Sequence, residues 1–196
     1  MALYDYRISS GATTAHGTGT LTNAGASTAI VGTGTAFLTQ LHVGDILIVS
    51  GQTLCVSSIS DDTHLALVTA TGAGFSLVAF DFDTLVNVES VSTGATAPRS
   101  VHRPWEEVRD TGDGLARGLG RPACTWNWGI ISQTQRDALR NYCSGKSARV
   151  YIRTKSIDGA DAMKTYQAAM MWADQEDRQT GRRVNFSIEF RDLVLL

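Results

Sequence analysis

Short runs of alternating apolar and polar residues, separated by Gly, Asp and Ser, fill the first part of the chain. Ala29–Val31, Asp45–Ser50, Thr53–Ile59 and Thr63–Thr69 each read as a brief strand, with turns at Gly51-Gln52 and Asp61-Asp62. Phe37 and Leu38 lead into Leu41-His-Val-Gly-Asp45, a hydrophobic plug followed by a turn. Strands at roughly ten-residue spacing, rich in Thr and Val, predict a small all-β barrel or sandwich.

The rest of the chain carries stronger signals. Cys124–Ile131 alternates large and small residues, a strand with Trp126 and Trp128 on one face. Ser132-x-x-Gln135 then forms a capping box, and Ala138, Leu139, Tyr142 and Cys143 recur at helical spacing. Together they predict a helix over 133–143, ended by Gly145 in a left-handed turn. Ala148–Thr154 places Val150 and Ile152 on one face and Arg149, Tyr151 and Arg153 on the other. A polar loop around Asp158-Gly159, a strand Tyr166–Trp172 and a charged hairpin loop Ala173–Arg182 follow. In the last strand Val184, Phe186, Ile188 and Phe190 alternate with polar residues, so one face meets a core. The order β–α–β–β–β is that of an α+β unit.

Charge divides the chain in the same place. Residues 1–97 hold one basic residue, Arg7, and seven acids; residues 98–196 hold 16 basic residues and 12 acids. The formal charges are therefore −6 and +4, summing to the chain's −2. Pro98, Pro104 and Pro122 cluster just beyond, marking a boundary or a long ordered loop, and the boundary is placed near residue 97. No apolar run approaches the ~20 residues that span a bilayer. The N-terminal residues lack a signal-peptide pattern, and three scattered cysteines make neither a disulfide framework nor a CxxC site.

Candidate chemistry is thin. Gly17–Thr20 and Gly32–Thr35 repeat Gly-Thr-Gly-Thr, but a phosphate loop needs a following Lys and a helix, and neither is present. His16, His42, His64 and His102 show no metal-ligand spacing. Asp81-Phe-Asp83 has two carboxylates but no further oxygen ligands, and reads as strand alternation. Glu106-Glu107, Asp110 and Asp113 lie in the proline-bearing segment, where such charges make exposed or inter-subunit ion pairs more often than acid–base pairs. There is no GxSxG elbow. The expectation is a non-enzyme with no cofactor and no metal. Strong nucleic-acid binding is not expected of a slightly acidic chain whose second half mixes signs, from Arg103, Glu106, Glu107 and Arg109 to Arg178, Arg182 and Arg183. That mixture fits subunit contacts or a solvated face.

Gly32-Thr-Gly-Thr-Ala-Phe37, Val43-Gly-Asp45 and Ser60-Asp-Asp-Thr-His-Leu-Ala-Leu67 together resemble a small β module of bacteriophage tail and head-fibre proteins, over about residues 17–70. Gly118-x-Gly120-x-Pro122-x-x-Thr125-Trp-x-Trp-Gly129, Gln133–Arg140, Val150–Arg153 and Val184–Phe190 resemble the tail-tube fold of phage tube and distal tail proteins, over about 98–196. The resemblance implies a mainly β (α+β) protein. Residues 12–97 would be a Thr/Gly-rich β module, projecting or docking. Residues 1–11 with 98–196 would be a tail-tube-like antiparallel β-sandwich flanked by one helix.

It further implies a virion structural protein, made in the host cytoplasm and built into the tail as a homohexameric ring, more in keeping with a distal tail position than the main tube. Its partners would be copies of itself and neighbouring tail or baseplate proteins, with DNA only as non-specific cargo in the lumen and no membrane insertion. Arg103, Trp105, Glu106, Arg109, Arg178, Arg182 and Arg183 are the candidate inter-subunit or stacking residues. The alternative is a tail-fibre or head-fibre adhesin module that binds the host surface. A cell-wall hydrolase is a third class, for which no constellation is present.

Overall fold

The chain enters one unit with β1 (Arg7–Ser9), leaves it for a second, and returns after Leu85. The computed structural model describes residues 5–11, 14–112, 115–158, 162–173 and 176–196. The smaller unit runs Gly11–Leu85; the larger combines the segment ending at Ser10 with Val86–Leu195. The division thus falls at Leu85/Val86, ahead of residue 97, where the composition changes.

The smaller unit contains β2 (Ala15–His16), β3 (Thr20–Asn23), β4 (Ala29–Thr33), the helical turn α1 (Phe37–Gln40), β5 (Ile46–Val49), β6 (Gln52–Ile59), β7 (His64–Leu67), β8 (Phe75–Val78) and β9 (Asp81–Asp83). Their hydrogen-bonded order is β2-β9-β5-β6-β7-β4-β3-β8. Only two residues join β8, at one end of this sheet, to β9, next to the other end. Such a link spans at most about 10 Å, so the sheet curls round on itself. β5 and β6 meet through Ser50 (φ 50°) and Gly51 (φ 73°), a two-residue left-handed turn that matches the strand twist. The expected plug is half right: Phe37 and Leu41 are buried, whereas Leu38 faces solvent.

The Gly-Thr-Gly-Thr repeats are packing devices. A side chain on Gly17 would run into the ring of Phe80, and one on Gly32 would meet Thr35 and Phe37. Gly19 and Gly34 adopt positive φ. The two repeats lie side by side, Thr20 opposite Thr33, so the glycines let two aromatic rings close over the backbone.

The larger unit continues with β10 (Val86–Asn87), a 3-10 turn at Val88–Ser90, β11 (Arg99–Arg103), β12 (Glu107–Asp110), β13 (Ala116–Leu119), β14 (Ala123–Ser132), α2 (Gln133–Arg140), β15 (Ser147–Lys155), β16 (Met163–Met171), β17 (Asp177–Gln179) and β18 (Arg182–Leu195). The protein is therefore mainly β, in the α+β class. An eight-stranded antiparallel sheet runs β10-β1-β15-β16-β18-β14-β11, with β17 added on β18. α2 packs on its apolar face, over a core that includes Trp126, Trp128, Tyr166, Trp172, Phe186 and Phe190.

Several local expectations change. The proline-bearing segment is not a loop: it holds edge strand β11 and a separate β12–β13 hairpin. The Ala173–Arg182 loop contains β17, turned back by Thr180 (φ 47°) and Gly181 (φ 75°). α2 begins as expected, with Ser132 Oγ accepting the Gln135 N–H at 3.1 Å. It ends differently: the Asn141, Tyr142 and Cys143 N–H groups bond three residues back, and Gly145 is not left-handed. Alternation along β18 is not strict either. Asn185 (φ 51°) and Asp192 (φ 55°) each insert a left-handed residue, shifting the phase so that Arg183 rather than Val184 is buried. Gly159 of the expected Asp158-Gly159 loop lies outside the described residues.

Candidate functional site

Each histidine of the smaller unit has an aspartate partner. His16 meets Asp81, His42 Nδ1 lies 3.5 Å from Asp45, and His64 Nδ1 lies 3.0 Å from Asp61. Asp61 is held down to about 2, first by the Thr63 N–H and hydroxyl, then by His64. Asp45 is fully buried and serves the backbone, accepting the His42 N–H at 2.8 Å and the Leu85 N–H at 3.1 Å. Asp83 is buried beside Phe82, so β9 does not simply alternate. Among the described residues no group of three or more His, Cys, Asp or Glu is placed to hold a metal ion.

The larger unit holds one pairing that sequence spacing hid. His102 on β11 sits opposite Cys124 on β14, with Nε2 3.8 Å from Sγ. Burial raises the thiol to about 12 and lowers the imidazole from its ordinary value. Both partners are thus pushed towards their neutral forms, the opposite of an activated Cys–His pair.

The seven candidate contact residues do not form one cluster. Arg103 pairs with Glu189 across the sheet, and Glu106 lies 3.8 Å from Arg191. Arg109 binds its strand neighbour Glu107 at 2.8 Å. Arg178 and Arg182 are exposed on the β17–β18 hairpin. Arg183 is not a surface residue. It is 5% exposed, donating to Glu176 Oε2 at 2.8 Å and to Gln133 Oε1 at 2.6 Å. Arg136 and the Trp172 indole N–H also bond Glu176, and the Arg136 and Arg140 guanidiniums stack over the Trp172 ring. These donors, Arg136 foremost, hold the Glu176 carboxyl down to about 2. The network ties β17 to α2 and is internal to the unit.

Trp105 belongs to the β12–β13 hairpin. Its indole lies over Gly118, on the face where a side chain of Gly118 would point. Val108, opposite Gly118, presents the same face, while Glu107, Arg109 and Arg117 line the other. Trp105, Val108 and the tip residue Leu115 are 50%, 61% and 66% exposed. Sequence reasoning found Trp105 but not Val108, because only the hairpin register shows that Val108 and Gly118 share a face. Asp113 lies outside the described residues. The sheet's outer strand β11 has no strand on its free edge among the described residues.

No helix among the described residues is long and apolar enough to cross a membrane. No family model matches this chain, and neither a curated protein nor a solved structure matches it.

Proposed function

We propose that the chain is a structural protein of a bacteriophage tail, whose larger unit associates with copies of itself into a closed ring around a DNA passage. The observation that carries this reading is the pairing of an open sheet edge, β11, with a separate β12–β13 hairpin in the same segment that exposes Trp105 and Val108. An unpaired edge invites strand addition, and a head-to-tail contact repeated by rotation closes into a ring. The exposed Trp105, Val108 and Leu115 would seat the hairpin on the next subunit or ring, with Arg178 and Arg182 as peripheral contacts. The smaller unit is an accessory module for attachment to neighbouring tail or baseplate proteins.

The register supplies a clean test. Arg103 and Ala123 are already cross-strand partners, so residues 104–122 can be replaced by an Asn-Gly turn without disturbing β11 or β14. Light scattering and negative-stain images of the intact protein should show sixfold rings or stacks, and the shortened chain should lose the stacks. A trimer that binds glycans would replace this reading with a host-surface adhesin. A protein that stays monomeric at every concentration and with its tail neighbours co-expressed would remove the ring altogether.

A further inference from the structure

The larger unit's sheet has a second face, opposite its core, and the strand register collects arginines there. Arg7 on β1 pairs with Arg153 on β15, which pairs with Thr165 on β16. In a second row Arg149 pairs with Ala169, and Ala169 with Arg191 on β18. Two further rows run Met171–Glu189–Thr125–Val101 and Ser187–Asn127–Arg99, and Arg103 alternates onto the same face beyond Val101. Paired residues in an antiparallel sheet point the same way, so six arginines share this face.

Three carboxylates stand among or beside them, and all are already engaged, Glu106 lying 3.8 Å from Arg191. Asp5 receives the Arg7 and Arg153 Nε–H groups at 2.5 and 2.6 Å, and Glu189 receives Arg103 and Arg191. The side chains of Arg149 and Arg99 are exposed and make no hydrogen bond or ion pair among the described residues. The accessible guanidiniums, on Arg149, Arg191, Arg103 and Arg99, run from β15 to β11. That is four strand spacings, about 19 Å. Ala169 leaves low ground between Arg149 and Arg191. A depression of about 410 Å³, lined by Lys146, Met171, Trp172, Ser187, Glu189 and Arg191, lies beside it.

We propose that this face binds the phosphates of a nucleic acid without reading its sequence. Guanidinium forks match phosphate oxygens two at a time, and a line of them fits an extended polyanion better than a single small anion. The whole-chain charge of −2 conceals the surface because the smaller unit supplies five aspartates and no lysine or arginine. The inference goes beyond the tail reading, in which DNA is only cargo, and stands or falls without it.

The test is fluorescence anisotropy of the full chain with labelled random-sequence 20-nucleotide single strands and duplexes, at 50 and 200 mM salt. Binding should weaken steeply with salt and should not depend on sequence. The double variant R149E/R99E removes no intramolecular bond, so it should keep the native circular dichroism while weakening binding at least tenfold. No binding at 50 mM salt, or binding indifferent to R149E/R99E, would overturn the proposal. So would loss of self-association in R149E/R99E with no nucleic-acid binding by the parent, which would make the face a protein interface. Particle size in the same samples reports separately on the ring.

Discussion

Between Gly11 and Leu85 the smaller unit has five aspartates and no lysine or arginine, while the larger holds all 17 basic residues and all four tryptophans. Their cores differ accordingly. The smaller packs Leu, Ile and Val around Phe37, Phe75, Phe80 and Phe82. The larger stacks Trp126 edge-on against Tyr6, Trp128 and Phe190. Their polar interiors differ too. Asp45 spends its oxygens on backbone N–H groups, whereas Glu176 is held by the side chains of Arg136, Arg183 and Trp172. A small sheet closed on itself needs its turns satisfied. A wide sheet carrying a helix and an added hairpin needs side chains that reach between elements.

That contrast can be broken one unit at a time. Trp126→Ala should have the largest effect, costing the larger unit about 4 kcal/mol, because it empties a fully buried indole site and leaves Thr154 Oγ1 without its N–H donor. Calorimetry should show the larger unit's transition falling while the smaller unit's stays in place. Loss of both transitions together would mean that the units do not unfold separately.

Glu176 comes next. Its folded carboxyl titrates at about 2 against an ordinary 4.5, so its stabilisation is present above the ordinary carboxylate range and is lost as the pH falls from 4.5 towards 2. The difference corresponds to about 3 kcal/mol. Glu176→Gln should remove a similar amount at neutral pH by leaving Arg183 buried without its carboxylate. Stability of the variant should then vary less between pH 5 and 3, measured by denaturant titration at each pH.

Asp45→Ala should cost the smaller unit about 2 kcal/mol, since the His42 and Leu85 N–H groups lose their acceptor. Its mark is a lowered smaller-unit transition beside an unchanged larger one. Gly118→Ala should be the mildest, under about 1 kcal/mol, because the strain falls on an exposed side chain that can swing away. A methyl group there would displace the Trp105 indole, so the readout is tryptophan emission and particle size rather than melting.

Much of the larger unit was legible in one dimension. The Trp126/Trp128 strand, the Ser132 cap and the arginine face of β15 follow from period, cap chemistry and alternation, which are local properties. What escaped was the outcome of non-local competition. β17 was hidden because a three-residue charged strand exists only where β18 runs past it. The phase of β18 was hidden because Asn185 and Asp192 become left-handed under the demands of sheet register, and neither is a glycine. Arg183 was therefore assigned to the surface. In the smaller unit β2, β3 and β8 escaped, being short strands whose pattern is too brief to stand above the turns around them.

The sequence by itself determined the class of the protein, its two regions of opposite charge, the one substantial helix and the apolar side of each long strand, because these depend on spacing along a single segment. Only the tertiary structure decided which polar sides meet. Arg149 and Arg191 lie far apart in the chain and share a row because β15, β16 and β18 are neighbours, each held there by the core on the opposite face. Strand order arises from many weak apolar contacts made together, and no single segment carries it.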